Sequence, residues 1–486
     1  MDPEDQEPAV REESEMKQLV LTSESESLFE RIVDNDNLQT AYKAVRRNKG
    51  APGVDGVSVE AYGENLHEEL SRLSQEVLSW TYKPSPVKRV RIPKPGNQGE
   101  RLLGIPRVND RVLQTAIKQV LEPIYEGKFS DSSYGFRPGR NQHEAVRRAR
   151  EIVKTGRKIV VDIDLSKFFD RINHDLLINR LRQEIKDPRV LRLIGMTLRS
   201  GIMENGLVHA SSEGSVQGSP LSPLLSNIVL DELDKELENR GLMFCRFADD
   251  CNIFVASQSA GTRVMRSITR FIETKLKLKI NTEKSQVGPT NKVKFLGFTI
   301  SGTAIAISRS AMSKAYEKIR VLTPRRSHQS IEQTVESINS WYQGWSQYFR
   351  LTQFSQQFNS LEAHLRRRLR ARLVSHHKRD RFLYRKLREL GVSHQCAATI
   401  YGNRKTWAKS ITRGVNSAWP NEWFHEIQGM YTVFDKWEEH WFRRNRSPHL
   451  PWRAVYGSVR TVLWEDGGWR SAPPLLLDLF VIDLTC

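Results

Sequence analysis

The sequence predicts an α+β fold, and three observations carry that prediction. Between Lys158 and Ile300 the pattern reads strand, helix, hairpin, helix, strand. Within that block, carboxylates sit at strand ends: Asp162 and Asp164 in an alternating strand, and Asp249-Asp250 between two apolar runs. From Ser308 onward, helical spacing replaces alternation, so a helical module follows the mixed one.

Composition bounds what such a chain can do. With 486 residues, 38% of them hydrophobic, it is long enough for two to four domains with their own cores. Its 75 Lys plus Arg against 57 Asp plus Glu give a net charge of +18, which favours a polyanionic partner, above all nucleic acid. No apolar run reaches the length of a membrane span, and the acidic start carries no signal-peptide pattern, so a cytoplasmic protein is expected. The four cysteines, Cys245, Cys251, Cys396 and Cys486, include no Cys-x-x-Cys pair, which argues against a zinc ribbon or a zinc-bearing nuclease module. Reduced thiols are expected, with Cys245 and Cys251 packing beside the acidic turn.

Taken in order, residues 1–28 read as a disordered acidic tail. Helical spacing is expected from Leu28 to Asn48 and from Val59 to Ser79, around the Gly/Pro-dense loop Lys49 to Gly56. Val87 to Pro106 alternates and turns once, giving a basic hairpin in which Lys94 and Arg101 flank the turn. Arginine forks onto phosphate oxygens and lysine acts as a point charge, so such a hairpin suits a triphosphate, although an exposed hairpin reads the same way. A helix from Asn109 to Phe129 leads to the loop Tyr134-Gly135-Phe136-Arg137-Pro138 with Arg140, then to a basic helix from His143 to Lys154. The acidic strand follows, with a helix expected from about Ser166 that carries Phe168 and Phe169. Gly214 to Pro223 is a loop entering the helix Leu224–Asn239, where Gly218 allows close backbone approach. A helix is expected from Gly261 to Leu276 and a closing strand from Lys294 to Ile300.

Adjacent acids at a hairpin tip repel, and both stay ionised only if a strong cation sits against them. A hard divalent ion with oxygen ligands meets that need, and magnesium takes one or two carboxylates plus substrate phosphates. Period-two alternation puts Asp162 and Asp164 on one strand face, with Asp164 nearer the strand's end. A lone Asp-Asp turn is ordinarily just exposed; the second acidic strand is what lifts this one above that reading. In the helical half, residues 361–390 hold eleven Lys/Arg against three Asp/Glu. Arg366, Arg367, Arg368, Arg370 and Arg372 cover too much of the helix circumference for one solvated stripe, so contact with a nucleic-acid backbone is expected.

In this order the blocks resemble a reverse transcriptase, and most closely a bacterial group II intron-encoded protein with maturase activity, of the class lacking an endonuclease domain. The carriers are Asn48 to Gly56, Ile92-Pro93-Lys94, Leu103-Gly104-Ile105-Pro106, Tyr134 to Pro138, Asp162 to Asp170, Gln217-Gly218-Ser219-Pro220, Phe247-Ala248-Asp249-Asp250 and Phe295-Leu296-Gly297-Phe298. Gly344 to Phe349 resembles the core of the family's thumb, and Asn403 to Trp407 the region after it. The resemblance implies a right-hand polymerase with fingers and palm, an α-helical thumb and a helical maturase/DNA-binding region. The implied divisions are 29–157 for the N-terminal extension and fingers, 158–303 for the palm, 304–390 for the thumb, 391–450 for DNA or RNA binding, and 451–486 without an assigned role.

Residue roles follow from the resemblance by position. Asp164, Asp249 and Asp250, with the Leu165 carbonyl, are the expected ligands of two Mg2+ ions, with Mn2+ as the alternative. Phe169 is expected under the sugar, excluding a 2′-hydroxyl. Lys94 and Arg101 would hold the triphosphate, and Gln217, Gly218 and Phe247 would line the nucleotide pocket. Lys284 would protonate the leaving pyrophosphate. Arg137, Arg140, Arg366, Arg367, Arg370, Arg404 and Lys405 are expected on nucleic acid. Phe247 departs from the family's usual tyrosine and removes a hydroxyl donor, while the carboxylates are intact. The implied partners are a group II intron RNA, a DNA target and primer, and dNTPs, in association with the nucleoid and with oligomeric state open. Two other readings share this chemistry or its scaffold: a reverse transcriptase recruited to host defence or DNA repair, and a non-catalytic RNA-binding maturase.

Overall fold

The computed structural model describes residues 27–93, 100–204, 207–209, 213–215, 218–325 and 327–433. The expectations for the acidic tail, Lys94, Gln217, the Arg101 side chain and the stretch after 433 lie outside the described residues. The chain divides into two compact units, Met1–Pro289 and Thr290–Cys486.

The first unit opens with helices α1 (Leu28–Val33) and α2 (Asn35–Arg47), where the spacing predicts one continuous helix. The break is at Asp34, whose extended backbone lets its carboxylate accept from the amides of Asp36 and Asn37 and cap α2. Asn65, at φ −115° and ψ 37°, breaks α3 (Val59–Glu64) from α4 (Leu66–Leu78) without a side-chain cap. Strands β1 (Val87–Pro93) and β2 (Glu100–Ile105) form the expected antiparallel hairpin. It is extended by β4 (Ile202–Glu204), parallel to β1, and β5 (Leu207–His209), giving the order β2-β1-β4-β5. The Arg91 guanidinium reaches Glu204 at 2.7 Å and ties β4 to the hairpin. Helix α5 (Val108–Glu126) is buried around most of its first three turns, polar Asp110, Arg111 and Gln114 included, and runs through one core whose residues range in sequence from Phe29 to Ile280.

The second sheet has the order β6-β7-β3-β8, all antiparallel, from β3 (Ile159–Ile163), β6 (Met243–Phe247), β7 (Asp250–Val255) and β8 (Gln286–Pro289). Helix α6 (Gln142–Lys154) packs on β6, and α10 (Gln258–Phe271) packs on β3, β7 and β8. Between β3 and β6 run α7 (His174–Glu184), α8 (Pro188–Leu198) and α9 (Ser222–Asn239). The fourth strand of this sheet is Gln286–Pro289, not the expected Lys294–Ile300. Its Val287-Gly288-Pro289 sequence is too short and too rich in turn residues to read as a strand, so pairing with β3 decides it.

In the second unit, β9 (Phe298–Ser301) and β10 (Ala304–Ile307) form a hairpin. Helices α11 (Arg309–Leu322), α12 (Ile331–Tyr348) and α13 (Ser355–Ser375) follow, then α14 (Asp380–Glu389) and the short α15 (His394–Ala398), α16 (Thr406–Lys409) and α17 (Arg413–Ala418). Phe298 stacks on Tyr348 with ring centroids 5.9 Å apart, and Tyr348 donates its hydroxyl to the Leu296 carbonyl at 3.0 Å. The Phe295-Leu296-Gly297-Phe298 motif is thus packing for this unit.

Candidate active site

The acidic turn is built from the strands beneath it. Phe247 pairs with Asp250 across β6 and β7, leaving Ala248 and Asp249 as a two-residue loop. Ala248 takes the left-handed conformation, φ 55°, that such a tight hairpin demands. In the β3–β7 register Asp162 faces Asn252 and Ile163 faces Cys251, so one step further brings Asp164 opposite Asp250. The carboxylates predicted from two distant stretches therefore lie toward the same end of one sheet. Asn252 Nδ2 donates to Asp250 Oδ1 at 3.1 Å, and Gln286 Nε2 donates to Asp162 Oδ2 at 3.3 Å.

Asp164 is fixed from the far side by the loop before β8. Its amide donates to Ser285 Oγ at 3.0 Å, and its carbonyl accepts from the Asn281 amide at 2.9 Å. Leu165 is buried and bridges to Ile280. The same loop carries Lys284, whose Nζ lies 3.9 Å from Asp164 Oδ2, with both side chains reaching solvent. The Asn281-Thr282-Glu283-Lys284-Ser285 segment thus delivers both the support and the cation to Asp164.

Beneath the turn lies a network that the sequence did not single out. The Arg246 guanidinium, fully buried, donates through Nε to Asp234 Oδ1 at 2.7 Å and through Nη2 to Asp234 Oδ2 at 2.5 Å. Its Nη1 donates to Asn227 Oδ1 at 3.0 Å and to the Ala248 carbonyl at 2.9 Å. Burial works against its charge, and the Asp234 carboxylate outweighs that, lifting the guanidinium above its ordinary range. Asn227 passes the link on, donating to the Gly135 carbonyl at 2.9 Å. At Gly135 a Cβ would lie 2.2 Å from the Ala248 nitrogen, so only glycine lets this loop lie against the turn. Burial also pushes the neighbouring Tyr134 hydroxyl up to about 12. Asn227 and Asp234 stand seven residues apart on one face of a helix otherwise apolar on its inner side; two polar residues in such a stripe are the signal that would have found them. Cys245 and Cys251 are buried free thiols beside this network, their pKa raised by burial.

Phe169 sits differently from expectation. The helix expected from Ser166 does not form, because Lys167 adopts φ 49° and a single tight turn, Phe169–Arg171, follows; the helix starts at His174. Phe169 is half-buried, edge-on to Phe168 with centroids 5.2 Å apart. Its carbonyl accepts from the Ser215 amide at 2.6 Å, which sets Ser215 against it. Gly218, at φ 108°, lies so near β2 that a Cβ would sit 2.4 Å from the Gly104 carbonyl oxygen.

The donor set suits a hard cation: carboxylate and carbonyl oxygens at strand ends, with no thiolate or imidazole among them. Among the described residues no three His, Cys, Asp or Glu side chains are grouped into a cage that could hold a metal ion. Magnesium bound through one or two carboxylates and substrate phosphates requires no such cage.

Several arginines expected on nucleic acid are interior instead. Arg137 is buried, donating to the carbonyls of Ser130 and Ser133 at 2.6 and 2.9 Å and to Glu126 Oε1 at 2.9 Å. Arg370 is buried, donating to the Trp419 carbonyl at 2.8 Å and Asn421 Oδ1 at 2.9 Å; burial lowers its pKa to about 10. Arg366 lies 3.8 Å from Glu362, and Arg367 stacks over the Trp407 ring at 4.0 Å. Arg368 donates to Thr323, and the buried Arg372 to Thr334. Helix α13 is therefore a central strut whose cations satisfy the carbonyls and rings packed around it, which is why they cover its circumference. Arg140 pairs with Asp131 at 2.6 Å and lies over the Tyr134 ring, while Arg404 and Lys405 are exposed.

Known proteins share this arrangement of sequence. Residues 92–300 match the reverse transcriptase (RNA-dependent DNA polymerase) family, and residues 312–391 match the group II intron maturase-specific domain. Protein YkfC of Escherichia coli is 34% identical over 336 residues, 61% of this chain and 86% of that protein. The group II intron-encoded protein LtrA of Lactococcus lactis is 37% identical over 210 residues, 43% of this chain; the match spans only 34% of LtrA. Among solved structures, a partial Cas6-RT-Cas1--Cas2 complex is 25% identical with a TM-score of 0.35, over 51% of this chain and 43% of that one. With most of YkfC covered, and with polymerase and maturase segments in the same order, the chain belongs to the group II intron type of reverse transcriptase, RNA-dependent DNA polymerases that carry a maturase-specific domain.

Proposed function

We propose that this chain copies a group II intron RNA into DNA during retrohoming and assists splicing of that RNA, using nucleotidyl transfer at Asp164, Asp249 and Asp250. The observation that supports the reading is the strand register that pairs Ile163 with Cys251, the neighbours of Asp164 and Asp250, at one end of one sheet. These three carboxylates and the Leu165 carbonyl would hold two magnesium ions, which when bound lower the charge barrier at the attacking and leaving oxygens. The chain's own residues do the rest. Asn252 orients Asp250, and the buried Arg246 fixes the turn carbonyl, so the carboxylates stay aimed. Phe169, whose carbonyl accepts from Ser215, would form the floor on which a 2′-hydroxyl collides, selecting dNTPs. Lys94 and Arg101 on the first hairpin would grip the triphosphate, with Gln217 and Gly218 lining the nucleotide. Lys284, 3.9 Å from Asp164, would give a proton to departing pyrophosphate.

The maturase-specific segment supports binding of intron RNA by the second unit, with Arg404 and Lys405 among the exposed cations of that unit. Among the described residues no helix is long and apolar enough to cross a membrane. The test is primer extension on an RNA template with magnesium. Asp249→Asn should lower kcat by roughly a hundred- to a thousandfold, the equivalent of several kcal/mol of lost charge stabilisation. Extension at the wild-type rate by that variant sinks the assignment.

A further inference from the structure

The palm sheet has a second charged side. In β3 the pleat sends Asp162 toward one face, and Ile159, Val161 and Ile163 toward the other. Helix α10 lies on the second face. A Cβ at its Gly261 would sit 2.5 Å from Val287 Cγ1 and 3.4 Å from Ile159 Cγ2, and Ile268 continues the buried stripe. The opposite side of α10 therefore looks away from both the sheet and the acidic turn.

That outward side carries Arg263, Arg266 and Arg270, all exposed. Their spacing of three and four residues stacks them in one row about 10 Å long. Beyond the helix Lys275 and Lys277 are also exposed, and Glu273 is an exposed acid three residues after Arg270. Among the described residues, none of these cations forms an ion pair. Arg72, Lys154 and Lys235, exposed on other helices of this unit, are each paired with a carboxylate one turn away. A solvated helix face needs no such row of uncompensated arginines, whose planar forks match phosphate oxygens two at a time.

We propose that the outer face of α10 docks a duplex segment of a folded RNA, through phosphates and without reading bases. This duplex is separate from primer and template, because the carboxylates open on the other side of the sheet. The inference rests on the reading that the chain works on a structured RNA, and it adds a second RNA-holding surface to that reading.

The experiment uses the full chain with primer–template already bound, and a blunt RNA duplex of two helical turns as probe. Wild type is compared with R263Q/R266Q/R270Q, and a DNA duplex of the same sequence serves as a second probe. Losing three phosphate contacts should make the slope of log K against log salt shallower by about 2.7. Between about 50 and 200 mM salt, wild type should lose roughly 40-fold more affinity than the variant. Extension kcat at saturating primer–template should be the same for both. Equal affinity and slope for the two proteins overturn the proposal, and tighter binding of the DNA duplex overturns its assignment to RNA. If wild type binds the RNA duplex through this row yet fails to extend primers, the polymerase reading falls and the docking surface stands.

Discussion

Replacing Asp234 with Asn tests whether the acidic turn is held from below. Arg246 and Asp234 are both fully buried, and the guanidinium spends two of its four hydrogen bonds on that carboxylate. Asp234→Asn leaves a buried guanidinium without its counter-charge, and breaking a buried pair from one side costs about 3–5 kcal/mol. That is a large share of the roughly 5–15 kcal/mol that holds a domain folded. The double variant D234N/R246M removes the uncompensated charge and should recover most of the loss, because an apolar pair can replace a buried ion pair at little cost. Urea unfolding of the two single variants and the double variant measures the coupling directly. Primer extension on the double variant then reports the turn itself: stability returns, while kcat stays low because the Ala248 carbonyl has lost its donor. A D234N variant within about 1 kcal/mol of wild type, the range of an exposed pair, refutes the reasoning.

Other outcomes follow from the same geometry. Gly135→Ala drives a Cβ into the Ala248 amide, and displacing the turn by about 1 Å should cost on the order of 100-fold in extension rate, read in single-turnover kinetics. Gly218→Ala combines a strained φ with a clash against the Gly104 carbonyl and should raise KM for dNTP more than it lowers kcat. Glu362 is buried, accepts from the Tyr342 hydroxyl at 2.8 Å, and burial raises its pKa above the usual glutamate value of 4.5. A raised acid gives stability that is full below its unfolded pKa and is lost as pH rises through the folded one. Glu362→Gln should therefore gain on wild type as pH goes from 4 toward 7, in urea midpoints taken across that range; a constant difference contradicts it.

Much of the candidate site was legible because its residues lie at strand ends, where alternation and turn chemistry are local. Asp164, Asp249 and Asp250 each announce themselves within ten residues of sequence. Gly135 and Gly218 were also visible as loop glycines, yet what they approach, the Ala248 amide and the Gly104 carbonyl, is fixed by tertiary packing. The helix expected after Asp164 failed for a local reason, the left-handed Lys167, which no propensity marks. The arginines of α13 misled because charge was taken as a sign of exposure. A long helix packed on several sides must satisfy the carbonyls of its neighbours, and arginine, with five donors on a flexible stem, does so while half-buried or buried. Arg137 follows the same rule in a loop.

This has a practical bearing on what the formal charge of +18 means. Cations consumed by carbonyls and indole rings inside the fold contribute little to the field that an approaching polyanion feels. Trimming positive charge to suppress indiscriminate adsorption would have to spare Arg370 and Arg372, whose loss would collapse the helical module rather than quieten its surface. The useful targets are the outward cations, and purification behaviour on polyanionic resins should track those alone.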